Sequence, residues 1–301
     1  MRIRATVAAV GGALALSALV VPAAQADASA ATADDYRAAV AKVRQAAAAG
    51  DARTARVDQP YPLNATFSNF KIGKAIKVGI SGTYSTTVSY TLTHDADVDV
   101  TAPDFLTGPY LYRGDATLFG IEPATCTGTT ATTATCTGKI DVLPAEGDLL
   151  NSDAGTWKGA ALAIDYNGQD PEGFDFDITQ VGYADQGGLG TTLVQRRSQL
   201  TVNATPEPVK KGATITVTGK LTRADWENTK YVGIPSGQTV KLQFRKASSS
   251  TYTDVKSITT TSGGALKTYV KAGVDGYYRF SYAGITSTVA SVAAGDYVDV
   301  Q

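Results

Sequence analysis

Histidine occurs once in the 301 residues, at His94, methionine once, at Met1, and cysteine twice, at Cys126 and Cys136. One histidine cannot build a multi-histidine zinc site, and neither an HExxH motif nor a phosphate-binding P-loop is present. A Ser-His-Asp triad would need His94 beside a nucleophile elbow, yet no Gly-x-Ser-x-Gly occurs and the run Gly79, Ile80, Ser81, Gly82 does not match one. Charge is scarce too: 18% of residues are Asp, Glu, Lys or Arg, against roughly 25% in an average globular protein. Beyond the N-terminal segment no run approaches the ~18 consecutive apolar residues of a membrane helix. The basic residues form no recognisable nucleic-acid motif. With Met1 the only methionine, the cores must be built from β-branched and aromatic residues, whose rotamers are stiff.

What is present begins with an export signal. Basic residues at Arg2 and Arg4 precede an apolar run from Ala5 to Val21, and the small-residue triplet Ala24, Gln25, Ala26 stands before Asp27. This pattern predicts a secretory signal peptide over 1–26. Ile3 separates the two arginines, so the twin-arginine signature is missing, and no cysteine follows to accept a lipid. A secreted, extracellular protein is expected. In that compartment Cys126 and Cys136 are expected to pair and staple the Thr-rich hairpin around them.

The near-zero net charge of −1 hides a polarity. Residues 57–198 carry 17 Asp and Glu against 8 Lys and Arg, and residues 199–301 carry 7 against 12, giving −9 and +5. The halves either attract one another or present the basic half to an anionic polymer.

Residues 27–59 are Ala-rich, with Tyr36, Val40, Val43 and Ala47 at helical spacing, which predicts a short helix that either docks or remains an arm. From 60 to 198, short strand-like runs separated by turns such as Ser81-Gly82 and Asn167-Gly168 predict a first β-sandwich, with a long loop over 167–190 that has room for a short embedded strand. From 199 to 301, seven runs alternate at period 2. In one, Val240, Leu242 and Phe244 share a face opposite Lys241, Gln243 and Arg245. Seven strands in about 100 residues is the count of an immunoglobulin-like domain. The expected fold is all-β: two tandem immunoglobulin-like sandwiches preceded by a signal peptide and a short Ala-rich helix.

A resemblance supports the second of these. Asp275, Gly276, Tyr277, Tyr278, Arg279 and Phe280 resemble the Asp-x-Gly-x-Tyr-x-Cys stretch of immunoglobulin-like strand F. Tyr278 stands at the tyrosine position, Phe280 replaces the cysteine, and Val217 stands where the partner cysteine would be. The resemblance implies sandwich architecture with apolar packing in place of an inter-sheet disulfide. The stretch Gly155 to Gly168 resembles a hairpin of bacterial immunoglobulin-like repeats. Residues 196–301 as a whole resemble the C-terminal module of a family of uncharacterised secreted actinobacterial proteins, which implies neither a reaction nor a ligand.

Three sets of residues are candidates for chemistry. Asp95, Asp97 and Asp99 would share one face if their segment were a strand, and a bound calcium ion would relieve their repulsion. The alternative is a solvated edge. Asp165, Asn167, Asp170, Glu172, Asp175 and Asp177 form a second acidic cluster whose spacing is not that of an EF-hand. Among the aromatic residues Trp157, Trp226, Tyr231, Tyr252 and Tyr282, Trp226 is the candidate ligand contact, because its segment lies between strands. No cofactor is expected apart from that calcium. The function expected is a non-enzymatic binding or structural protein of the envelope or extracellular space, its partner an anionic cell-wall polymer or another extracellular protein. Two other classes stay open: a secreted carboxylate-based hydrolase with an accessory domain, and a calcium-stabilised matrix protein.

Overall fold

The computed structural model describes residues 33–49 and 59–301. The signal peptide expected at 1–26 lies outside them, as do the helix-capping positions Thr32 and Gly50. In the first domain the period-2 runs become β1 (Tyr61–Pro62), β2 (Ala65–Ile72), β3 (Ala75–Val78), β4 (Tyr84–His94), β5 (Phe105–Arg113), β6 (Ala116–Phe119), β7 (Thr125–Thr130), β8 (Thr133–Val142), β9 (Gly155–Asp165) and β10 (Gly182–Arg196). One sheet is ordered β2-β4-β8-β7. The other is ordered β6-β5-β9-β10-β1, with β3 parallel to the far end of β10. In chain order β2 to β10 take the A, A′, B, C, C′, D, E, F and G positions of an immunoglobulin-like sandwich, and β1 is an added edge beside β10.

Inward residues alternate as the sequence pattern requires. Val88, Tyr90 and Leu92 of β4 and Ile140 of β8 face Leu111, Trp157 and Ala161 of the other sheet, all buried in one core. The Trp157 indole N–H donates to the Asp153 carbonyl at 2.7 Å, so its polar edge is satisfied. The outward side of β2-β4-β8-β7 is mostly hydroxyls in register: Ser68, Thr91, Thr135 and Thr127 form one cross-strand row. Threonine suits such a position because it is β-branched yet polar.

Cys126 and Cys136 lie directly opposite on β7 and β8, with Cα atoms 4.0 Å apart, and are disulfide-bonded. The bond closes a short loop. The Cys126→Ser, Cys136→Ser double variant is expected to lose about 2–3 kcal/mol, measurable as a lower denaturant midpoint at unchanged slope.

The sequence-expected second domain contains β11 (Ser198–Leu200), β12 (Asn203–Thr205), β13 (Thr214–Asp225), β14 (Lys230–Gly233), β15 (Thr239–Lys246), β16 (Thr253–Thr259), β17 (Ala265–Lys271), β18 (Gly276–Tyr282), β19 (Ser291–Val292) and β20 (Asp296–Val298). β13 centres one five-stranded sheet, pairing with β12 and β17 over its first half and with β11 and β14 over its second, and β16-β15-β18, extended by β19 and β20, form the other. β18 occupies the F position. Phe280 and Val217 are fully buried between the sheets, as the replacement of a disulfide by apolar packing requires.

The Ala-rich segment is helix α1 (Ala33–Ala49), and it is docked. Tyr36, Val40 and Val43 are buried against Tyr110, Ala160, Leu162, Ile164 and Val181 on the outer face of β5-β9-β10. Cations around the seat hold it. Arg37 donates to the carbonyls of Phe119, Gly120 and Asp141 at 3.1–3.2 Å, and Arg44 lies 4.6 Å over the Tyr110 ring and 3.6 Å from Asp185. At Gly108 any Cβ would fall on the Tyr36 hydroxyl, so the helix needs that glycine. The Tyr36 hydroxyl itself has no partner, and burial pushes its phenol above the ordinary tyrosine range. Tyr36→Phe removes a buried unpaired polar group while keeping the ring. It is therefore expected to stabilise the protein by about 1 kcal/mol, raising Tm by about 2–4 °C in a thermal melt.

Two expectations need correction. The segment of Asp97 and Asp99, which would align them as a strand, lies in turns between β4 and β5, and residues 182–190, expected as loop with room for a short strand, belong to the long strand β10.

Candidate functional site

The three aspartates on which a calcium site was expected do not line one face. Without a strand there is no alternation, and Asp95 and Asp99 are engaged by different partners. Asp95 accepts from Asn64 Nδ2 at 2.7 Å. Asp99 accepts from the Thr101 hydroxyl and N–H at 2.6 and 2.9 Å, bonds that hold its carboxyl below the ordinary range. Asp97 is exposed between them. The second acidic cluster behaves alike: Asp165, Asp170 and Asp177 each accept the N–H two residues ahead, at 3.0 Å, the Asx-turn arrangement. Among the described residues no group of three or more His, Cys, Asp or Glu is placed to hold a metal ion. His94 is buried, with Nδ1 2.8 Å from the Asp95 carbonyl.

Trp226 is also not where a ligand contact would be. It is 2% exposed and packs into the core of the first domain, joined there by Ala224 and Tyr231. The reason is the length of β13, which overruns its own sandwich and carries the turn after it into the neighbouring one. A polar lattice locks the insertion. Asn151 accepts from the Trp226 N–H at 3.0 Å and donates to Asp225 and Glu227 at 2.7 and 2.6 Å. Its bond is the main reason the Asp225 carboxyl sits below the usual carboxylate range. Buried Arg196 donates to the Ala224 carbonyl, and burial together with neighbouring Arg223 lowers its pKa to about 10. The other ring candidates are equally committed. Trp157 and Tyr282 are buried, and Arg279 stacks 3.6 Å over Tyr252.

An open, lysine-lined cleft lies on the second domain. The first sandwich has β7 beside β8, whereas the chain of the second passes from β16 to β17 through Thr260 and the 3-10 turn Ser262–Gly264, with no strand in between. β17 therefore pairs only with β13, and β16 only with β15. Between the two sheet edges is an open cleft of about 520 Å³. Phe244, Val270 and Tyr278 are its deeper apolar residues, and Val255, Tyr269 and Val274 are 44%, 54% and 44% exposed at its mouth. Its only charged lining residues are Lys256 and Lys271. Lys267 lies beside it, 5.6 Å over the Tyr269 ring. Through Gly273 and Val274 the cleft continues to a second hollow whose charged lining residues are Lys211, Lys246 and Asp275. The cleft thus joins exposed apolar side chains to a lysine rim.

The sequence pointed elsewhere because lysines on alternate strand positions read as ordinary solvated faces. The available signal was a spacing: only five residues separate the strands 253–259 and 265–271, too few for another strand.

No protein-family model matches the chain, and no curated protein matches it. Solved structures are similar over most of it. The Escherichia coli adhesin FdeC is 14% identical, with 78% of this chain and 65% of that one covered and a TM-score of 0.30. The Yersinia pseudotuberculosis adhesin InvE is 16% identical, with 78% and 58% covered and a TM-score of 0.24. The mouse nectin-like molecule 4 ectodomain is 13% identical, with 79% and 65% covered and a TM-score of 0.22. The chain thus spans less than two thirds of the length of each. The immunoglobulin-like assignment rests on the strand order above. Among the described residues no helix is long and apolar enough to cross a membrane.

Proposed function

We propose that the protein is an exported, non-catalytic binding protein whose second domain engages an anionic extracellular partner through the lysine-rimmed cleft. One observation carries this reading: an open apolar cleft with exposed Val255, Tyr269 and Val274, whose charged lining is lysine alone. Exposed aromatic and aliphatic side chains supply contact area, and lysines at the rim steer and select a negative partner. The first domain serves as the rigid mount, coupled to the second by Trp226 and the Asn151 lattice.

Co-sedimentation of residues 27–301 with purified bacterial cell wall, chitin and cellulose tests the reading. The expected result is pelleting with the anionic wall alone, released at high salt because exposed charges are screened beyond about 10 Å at 0.1 M. Salt-insensitive pelleting, or pelleting with the neutral polymers, would contradict it.

A further inference from the structure

We infer that the bare edge of β17 accepts an extended peptide as an added strand, and that this peptide alternates apolar and acidic residues. The inference rests on the anionic-partner reading above and narrows it to one chemical class.

The molecule contains its own precedent. In the first sandwich β8 is paired on one side by β4 and on the other by β7, antiparallel. In the second, β17 is paired by β13 on the corresponding side, and the position equivalent to β7 has no strand. The backbone groups at that position are identifiable. Lys256 Nζ, reaching across from β16, donates to the Tyr269 carbonyl at 2.7 Å, so Tyr269 directs its backbone groups away from β13. Antiparallel pairing alternates, so Lys267 and Lys271 do the same. Three residues at strand period thus present N–H and C=O groups outward, a row that another extended backbone matches.

Side chains set the peptide's pattern. Residues directly opposite Lys267, Tyr269 and Lys271 would project on the same outer face as those side chains, beside two lysines, and are therefore acidic. The intervening residues would project toward Phe244, Val255, Val270 and Tyr278 and are therefore apolar. Lys256 covers the Tyr269 carbonyl while the edge is free and turns to an acidic side chain when a strand replaces it.

The test is fluorescence anisotropy on residues 27–301 with three fluorescein-labelled octapeptides: alternating valine and glutamate, four valines followed by four glutamates, and the alternating peptide N-methylated at its glutamates. Saturable binding of the first is expected. The methylated peptide should bind about tenfold or more weakly, because it loses the amides that reach β17, and the block peptide likewise. Val255→Asp, a change at an exposed position, should weaken the alternating peptide by a similar factor. Equal binding of all three peptides would overturn strand addition while leaving an anionic-partner cleft standing. Failure of all three peptides, with salt-sensitive wall binding intact, would also overturn it. Failure of peptides and wall together would remove both readings.

Discussion

Replacing Trp226 by alanine is expected to lower stability by about 3–5 kcal/mol and to split a single calorimetric transition into two. The side chain is 2% exposed and belongs to the core of the first domain although its strand begins in the second. Its removal leaves a cavity in one sandwich and takes away the largest ring of the apolar tie between both, to which Ala224 and Tyr231 also belong. The bonds from Asn151 to Asp225, Glu227 and the residue 226 backbone would remain, but polar contacts of this kind contribute only about 1 kcal/mol each. Differential scanning calorimetry distinguishes the outcomes: one transition at lower temperature would mean that the polar lattice, with Ala224 and Tyr231, still couples the domains. Because the cleft lies away from this joint, wall binding at a temperature where the variant is folded should be unchanged.

The second large effect concerns α1. Val43 is fully buried among Tyr36, Val40 and the outer face of β5-β9-β10, and Val43→Asp would place an unpaired carboxylate there. The cost, about 3 kcal/mol or more, exceeds what a short Ala-rich helix recovers by its own propensity. The helix is therefore expected to leave its seat while the sandwich persists, since the sandwich core is a separate cluster. Limited proteolysis should then cleave within residues 33–49, which the native protein protects. Dye binding should report the uncovered Leu162, Ile164 and Val181. Protection equal to that of the native chain would contradict the docked arrangement.

These two contacts mark where sequence reading reached its limit. Period-2 alternation identified most strands, including the inward Val240 and Leu242, because one-sided burial imposes that period directly, whereas Tyr278 and Phe280 were placed by the resemblance to immunoglobulin strand F. The disulfide was legible from two cysteines in a Thr-rich hairpin. Docking of α1 was not, because Tyr36, Val40 and Val43 show an apolar stripe without showing what covers it. Trp226 was misread for the same reason: a large ring outside its own sandwich pattern looks exposed until β13 is seen to enter the neighbouring core. Asp95, Asp97 and Asp99 alternate in sequence, but their segment forms turns, with Asp99 bonded to Thr101 and Asp95 to the distant Asn64, so the three do not align on one face. The cleft was hidden because it is made by a strand that is not there.

The central claim is that the lysine-rimmed cleft of the second domain is the binding site. Its most direct test is a binding isotherm on purified cell wall at low salt, comparing the native protein with Lys256→Glu, Lys271→Glu. Both residues are exposed, so the fold should be retained, and circular dichroism checks that it is. The account predicts a loss of affinity of at least about tenfold, from two lost attractions and two added repulsions of about 1 kcal/mol each at an exposed site. Native affinity in the double variant would contradict it.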